Sequence, residues 1–472
     1  MKELKSILGV ALSNITTILS GIIISFIVPK IMSLSGYGLY RTFSLYEVYL
    51  GMFHLGIIDG IFLRYGDKDY EELDRPMFRS YFRYFLLLNL FFCVLAIAGG
   101  VLIFGISDMG FILVSLGLNV VAFNATAYFQ HISQFTRRFK EYSARKVIQS
   151  AVNIAIVAVM VLLYLNIGEV DYRGYIIALV TLNYVLMGWY VFTYRDIVFG
   201  KSAGLGRAGI KSVMLPLIKK GFPLLVSNLC VNLLLVIDRQ FVNILFTTEE
   251  YAIYAFAYNM LSLVAFATTA VSTVLYPLLK RRDSERSMEL YPQICAAVLV
   301  MVFIIMTAYF PLTVIIGWFL PRYTGSLSIF RIILPGIAVS SAVTVIMNNY
   351  YKVFDMVTDF FKKSVVVLAL SIAANLAAYM IFGTMESISV ASIAVMLFWY
   401  LFTETRLSEA PRAARIKNFA FMIVMMAGFY AASMIGNVWL GMAAYIVICA
   451  GAVLVFYLRS IRKWIDIVRI RS

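Results

Sequence analysis

The chain has 472 residues, 62% of them hydrophobic and 14% charged, and it carries a net charge of +15. A soluble domain has about a quarter of its residues charged, so this composition leaves no room for a soluble catalytic domain. The apolar residues lie in long runs without alternation, which excludes a β-barrel. Backbone groups in lipid must bond internally, so the runs must be helices.

Runs able to cross about 30 Å of hydrocarbon at about 1.5 Å per residue are predicted at 7–28, 40–63, 84–105, 110–133, 148–166, 174–194, 217–246, 251–279, 293–319, 327–351, 364–383, 386–404, 417–435 and 438–458. The first is read as a retained helix, because its apolar stretch is too long for a signal peptide and no small-residue cleavage site follows. The tightest connection is Thr384 and Met385 alone. With the amino terminus inside, 34 of the 40 Lys and Arg fall in inside loops and inner helix ends. Lys30, Arg41, Arg173, Arg322 and Arg331 fall in outside loops and outer helix ends, and Arg239 lies within a span. Lys and Arg resist translocation. The predicted fold is therefore an all-α integral membrane protein of about fourteen transmembrane helices, with both termini cytoplasmic. Basic loops facing anionic headgroups account for the +15, so the charge implies no nucleic acid. Cys93, Cys230, Cys295 and Cys449 fall within spans without metal-ligand spacing, so they read as packing residues, with no metal and no cofactor.

A shift of 214 residues lays the first hairpin over the seventh and eighth spans without a gap. Ser13 and Asn14 meet Ser227 and Asn228, and Tyr37 and Tyr40 meet Tyr251 and Tyr254. Six spans separate the copies, so both cross in the same direction. Such copies are related by an axis along the membrane normal and bracket a midplane cavity. The predicted organisation is a six-helix lobe at 1–200, a basic linker at 201–211, a second six-helix lobe at 212–405, and two further helices with a basic tail at 406–472.

Charges embedded in a bilayer are costly unless paired or wet, so they are the first functional candidates. The second span carries Arg41, Glu47, His54 and Asp59. At about 100° per residue, Glu47 and His54 share one face and Arg41 and Asp59 another. The seventh span carries Asn228, Asn232, Arg239 and Asn243 along one stripe, with Asp238 to the side. The matching stripe of the first span is Asn14, Thr17, Gly21 and Ser25. Interhelical hydrogen bonding is the plain reading of the asparagines. The charges are different, because the 214 shift puts Glu47, His54 and Asp59 on Leu261, Thr268 and Thr273, so the other copy builds the same hairpin without them. His54, near neutral in its unperturbed pKa, is a candidate for proton coupling.

The stretch Pro29–Asp74, PKIMSLSGYGLYRTFSLYEVYLGMFHLGIIDGIFLRYGDKDYEELD, resembles the first hairpin of the polysaccharide (oligosaccharidyl-lipid) flippases of the multidrug/oligosaccharidyl-lipid/polysaccharide superfamily. Gly36–Tyr40 and Leu55–Gly60 carry most of the likeness, and Ile237–Asn259 is similar too, with Asp238 and Arg239 matching a common acidic-basic pair. The resemblance implies a transporter, not an enzyme, in the bacterial cytoplasmic (inner) membrane. Its substrate would be an undecaprenyl-pyrophosphate-linked oligosaccharide, moved to the outer leaflet by alternating access for O-antigen, lipopolysaccharide, capsule or another surface polysaccharide. It implies Arg239 and Arg41 against the pyrophosphate or an acidic sugar, and Asn14, Asn228, Asn232 and Asn243 against sugar. Glu47, His54, Asp59 and Asp238 would serve as counter-charges or carry a coupling H+ or Na+. Membrane lipids, and a polysaccharide polymerase or chain-length regulator, are the implied partners. The rivals are a lipid II flippase and a multidrug or cation antiporter of the same superfamily. More distant is a membrane polymerase or glycosyltransferase, which would display a long outer loop with catalytic carboxylates, whereas no outer loop here exceeds about a dozen residues.

Overall fold

The computed structural model describes the backbone of residues 2–66, 68–203, 207–263, 284–407 and 411–471, and the side chains of 16–66, 68–203, 212–263, 288–407 and 411–458. Its regular structure is entirely helical among those residues. The helices, in chain order, are α1 (Lys2–Ile31), α2 (Leu34–Glu47), α3 (Ile57–Tyr65), α4 (Arg75–Gly99), α5 (Asp108–Phe135), α6 (Phe139–Ile167), α7 (Tyr172–Thr193), α8 (Arg207–Leu234) and α9 (Ile237–Leu245). They continue with α10, followed from 248 to 263, α11 (Ser284–Ile305), α12 (Tyr309–Phe319) and α13 (Ser326–Ile333). The last are α14 (Gly336–Val353), α15 (Val357–Phe382), α16 (Met385–Glu404), α17 (Arg412–Ser433) and α18 (Val438–Arg471).

Ten helices are long and apolar enough to cross a membrane among the described residues, and twelve if each of two bent pairs is one span. The chain is a multi-pass membrane protein. The predicted span at 7–28 falls in α1, whose side chains are described only from Thr16, and the one at 251–279 leaves the described residues after Leu263. Helix α4 shows why these helices need lipid: Leu87, Phe91, Val94 and Leu95 all project outward, a row that water would not tolerate but hydrocarbon does.

Local chemistry sets the helix ends. Ser33, Asp74, Ser107 and Asp171 each accept a bond from a backbone N–H in the first turn of the helix that follows, satisfying an otherwise orphaned donor. The Thr384–Met385 connection works because Gly383 closes α15 in a left-handed conformation (φ 64°) while Thr384 caps Ser387 of α16.

Two predicted spans are not continuous. The second breaks at Leu55 (φ 49°) and Gly56 (φ 78°), preceded by a 3-10 stretch at Val48–His54, and the segment Leu34–His54 meets α3 at 56°. The seventh is interrupted by a turn at Leu235–Val236, between α8 and α9. The tenth also bends, by 41° at Pro335 between α13 and α14.

The chain divides into two compact units, Met1–Asn232 with Phe246–Ala252, and Leu233–Leu245 with Ile253–Ser472. In the first, α1 lies along α6, and α5 packs against α4 and α7. In the second, α15 pairs with α16 and α17 with α18. Among the described residues each unit holds a buried cation in a similar setting. Arg145 (α6) pairs with Glu141 one turn earlier at 2.9 Å, donates to Thr193 Oγ1 at 2.5 Å and lies 4.2 Å over the Tyr190 ring. Lys363 (α15) pairs with Asp359 one turn earlier at 3.5 Å, donates to Thr405 Oγ1 at 3.1 Å and lies 5.3 Å over the Phe402 ring.

Candidate functional site

The break at Leu55–Gly56 rearranges the charges of the second span. Glu47 ends α2, His54 ends the 3-10 stretch and Asp59 lies in the first turn of α3. The shared faces expected of Glu47 with His54 and of Arg41 with Asp59 do not exist, because a 3-10 turn advances about 120° per residue rather than about 100° and the axis then bends.

What replaces them, in the first unit, is a column of polar side chains. Arg41 is half-buried on α2, surrounded by Tyr37, Tyr40 and Tyr251, and its backbone carbonyl accepts from Tyr251 Oη at 3.3 Å. No carboxylate pairs with it among the described residues. Glu47 accepts from Asn119 Nδ2 at 2.8 Å, and Asn119 Oδ1 accepts from Asn183 Nδ2 at 2.9 Å. Deeper, Asn124 Nδ2 donates both to the Leu50 carbonyl at 2.9 Å and to Asn89 Oδ1 at 2.7 Å. Asn124 thereby meets a backbone carbonyl in the 3-10 stretch of the broken helix, next to the break. His54 Nδ1 accepts from Gly56 N–H at 3.1 Å, across the break, and His54 and Asp59 are both within electrostatic reach of His131. The chain's two histidines thus lie near one carboxylate. At the basic end of this unit Tyr70 donates to Asp196 at 2.7 Å under Arg138, and burial together with that bond pushes its phenol well above the usual range.

In the second unit the acidic-basic pair at the start of α9 is held by α10. Asp238 is buried and accepts from Tyr254 Oη at 2.9 Å, from Tyr258 Oη, and from the Arg239 backbone N–H at 2.8 Å. Ser389 of α16 extends the chain to Tyr254 at 3.4 Å. Arg239 lies with its guanidinium 4.6 Å over the Tyr258 ring and donates Nη2 to the Leu235 carbonyl at 2.7 Å, a carbonyl freed by the turn between α8 and α9. Its Nε is buried without a hydrogen-bond partner.

The single stripe predicted along the seventh span does not hold, because it crosses that turn: Asn228 and Asn232 are exposed on α8, whereas Arg239 and half-buried Asn243 belong to α9. The side chain of Asn14 lies outside the described residues. Sequence reasoning missed His131, Asn89, Asn119, Asn124, Asn183 and the anchoring tyrosines. Isolated amides in apolar helices have no spacing to announce them, although Tyr254 had already stood out in the repeat.

The arrangement sets cations beside aromatic rings and fixes amides and carboxylates along a helix that is broken in mid-span. That chemistry suits anionic and hydroxyl-rich groups. Among the described residues no group of three His, Cys, Asp or Glu is placed to hold a metal ion.

The comparisons with known proteins agree in fold. Residues 4–283 match the model of the family described as polysaccharide biosynthesis protein. No curated protein matches the sequence. The structure resembles the lipid II flippase MurJ in an inward closed conformation, with a TM-score of 0.70 at 14% identity over 97% of this chain and 100% of that one. It also resembles a multidrug resistance MATE transporter of the MOP superfamily in an inward-facing conformation, with a TM-score of 0.58 at 10% identity over 84% and 94%. A MOP superfamily transporter from Pyrococcus furiosus follows at 0.51 and 12% over 86% and 96%. These are transporters and a flippase, not enzymes, and at such identities the likeness is one of fold. With more than half of its length matched by the family model, this multi-pass membrane chain belongs to the polysaccharide biosynthesis protein family, on the fold of the MOP superfamily transporters.

Proposed function

We propose that the chain flips an undecaprenyl-pyrophosphate-linked oligosaccharide from the cytoplasmic to the outer leaflet of a bacterial inner membrane, for O-antigen, capsule or another surface polysaccharide. The observation that carries this reading is Arg41, a cation at the outer end of a membrane span whose Nε is buried among tyrosines, with no carboxylate paired to it among the described residues. An embedded charge is stable only with a partner or water, and a pyrophosphate or acidic sugar would supply that partner. Arg239, stacked on Tyr258, would do the same from the second unit, with Asn14, Asn228, Asn232 and Asn243 bonding sugar. Glu47 and Asp59 in the first unit and Asp238 in the second would serve as counter-charges at a distance, and His54 and Asp59, with His131, would carry a coupling proton or Na+.

The fourteen-span topology, both termini inside, and alternating access by the two halves of the repeat belong to the same proposal. The matching settings of Arg145 and Lys363 support the repeat: a shift of 218 takes Glu141 and Arg145 to Asp359 and Lys363, and one of 212 takes Tyr190 and Thr193 to Phe402 and Thr405. Lobes at 1–200 and 212–405, joined by a linker at 201–211 and followed by two helices at 406–472, remain the proposed organisation.

A second reading, a lipid II type of substrate, is favoured by the TM-score of 0.70 over the whole of the lipid II flippase. Deleting the gene in its host tests both. The first reading expects a lipid-linked oligosaccharide repeat unit to accumulate on the inner leaflet and Arg239→Ala to fail in complementation at normal membrane abundance. Accumulation of lipid II selects the second, and absence of any lipid-linked glycan overturns both.

A further inference from the structure

On the first unit an apolar groove and a polar pocket meet at Val170. The groove, of about 370 Å3, runs between α6 and α7 and is walled by Val159, Met160 and Leu163 on one side and Gly174 and Ala178 on the other. It lies where α6, packed mainly along α1, makes its lighter contact with α7, and a Cβ at Gly174 would meet nothing within 4 Å. The pocket, of about 490 Å3, opens between the α1–α2 turn and the α6–α7 loop, and Ser33, Ser35, Glu169, Asp171, Tyr172 and Arg173 line it. Val170 lines both cavities, and its N–H donates to the Ile31 carbonyl at 2.9 Å, which fixes the loop on the end of α1.

The pocket's polar groups suit hydroxyls better than a phosphate. The Arg173 guanidinium is paired with Asp108 at 2.8 Å and donates to Tyr172 Oη at 3.3 Å; the Asp171 carboxylate caps the Arg173 N–H at 2.9 Å and, like Glu169, is exposed with further acceptor capacity. Two carboxylates repel a phosphate at short range. Sugar hydroxyls donate to carboxylates and exchange bonds with serine and tyrosine hydroxyls. A hydrocarbon tail gains by lying along the groove instead of leaving apolar walls poorly filled.

We propose that this pair of cavities is an outer-leaflet landing site for an amphiphile with a saccharide headgroup, the sugar in the pocket and the tail along α6 and α7. Identifying that amphiphile with the translocated lipid rests on the flippase reading, whereas the site's own selectivity does not.

The test is photolabelling of the full chain in nanodiscs with an alkyl maltoside bearing a diazirine in its tail, mapped by mass spectrometry. The expected result is label on 156–163 and 174–178. Gly174→Leu fills the groove in a helical position and should reduce that label about tenfold, whereas Gly174→Ala, too small to fill it, should leave it. The double variant Glu169→Gln with Asp171→Asn, which keeps an amide cap on α7, should lower maltoside labelling and raise that of diazirine-tailed phosphatidylglycerol. Equal labelling of wild type by the two probes, or maltoside labelling indifferent to Gly174→Leu, would overturn the proposal. Labelling requires no transport, so Arg239→Ala should label as wild type does even where it abolishes glycan export. A chain that labels as expected yet supports no export would sink the flippase reading alone.

Discussion

Arg239 answers the cost of a half-buried guanidinium with the Tyr258 ring and the Leu235 carbonyl, and Arg41 with the tyrosines around it, rather than with a carboxylate salt bridge among the described residues. A cation over an aromatic face contributes about 0.5–2 kcal/mol, and the planar guanidinium stacks where a lysine ammonium cannot. Arg239→Lys should therefore keep part of glycan export while Arg239→Ala abolishes it, both at normal membrane abundance, measured as surface polysaccharide in a complemented deletion strain. Equal activity of the two would remove the charge from the account. Asn119 poses the complementary case, since its amide donates to Glu47. Asn119→Leu should destabilise the protein in detergent by about 1–3 kcal/mol, the cost of stranding a buried polar group. Adding Glu47→Leu should recover the part of the loss owed to Glu47, the Asn183 amide staying stranded, and a thermal unfolding series that shows no recovery would contradict the pairing.

Glycine decides the geometry where helices cross. A Cβ on Gly221 of α8 would stand 2.0 Å from the Gly56 carbonyl oxygen, and one on Gly60 of α3 would stand 2.2 Å from the Leu217 carbonyl oxygen. Backbone cannot yield as a flexible side chain would, so Gly221→Ala should part α3 from α8. Cysteines introduced at Leu63 and Lys220, where the Lys220 ammonium reaches the Leu63 carbonyl at 3.4 Å, should be bridged readily by a short bifunctional thiol cross-linker in the parent and poorly in Gly221→Ala. Undiminished cross-linking would refute the contact. The buried cations give a second element-scale expectation. Arg145→Met and Lys363→Met should each lower stability by a similar amount, on the order of 1–3 kcal/mol, while Lys362→Met on the exposed face of α15 should not.

These elements also show what the sequence made legible. Runs of apolar residues announce membrane helices, and Thr384 beside Gly383 announces a tight turn, because each is a local property. The break at Leu55–Gly56 and the turn at Leu235–Val236 lie inside apolar runs that hydropathy reads as continuous, so the faces deduced for Glu47, His54, Asn228 and Arg239 were drawn on helices that do not exist as single rods. The likeness of Arg145 to Lys363 was hidden for another reason. The 214 shift that aligns the first hairpins misses it, since the offset has become 218 at α6 and 212 at α7. The amides Asn89, Asn119 and Asn124 find their partners only in three dimensions.

At the scale of the whole molecule, the fold is that of MOP superfamily transporters and the family is that of polysaccharide biosynthesis. The charge pattern adds an orientation that labelling can check. Single cysteines at Ser35 and Asp171 should react with an impermeant maleimide from outside intact cells, and one at Ser202 only after lysis; the reverse would invert the topology. The central claim is translocation itself. Purified protein reconstituted in proteoliposomes should bring an undecaprenyl-pyrophosphate-linked oligosaccharide, loaded on the inner leaflet, into reach of an external lectin faster than protein-free liposomes do. The Arg41→Ala, Arg239→Ala double variant should fall to the protein-free rate. Equal exposure with and without wild-type protein, or full activity in the double variant, would contradict the account.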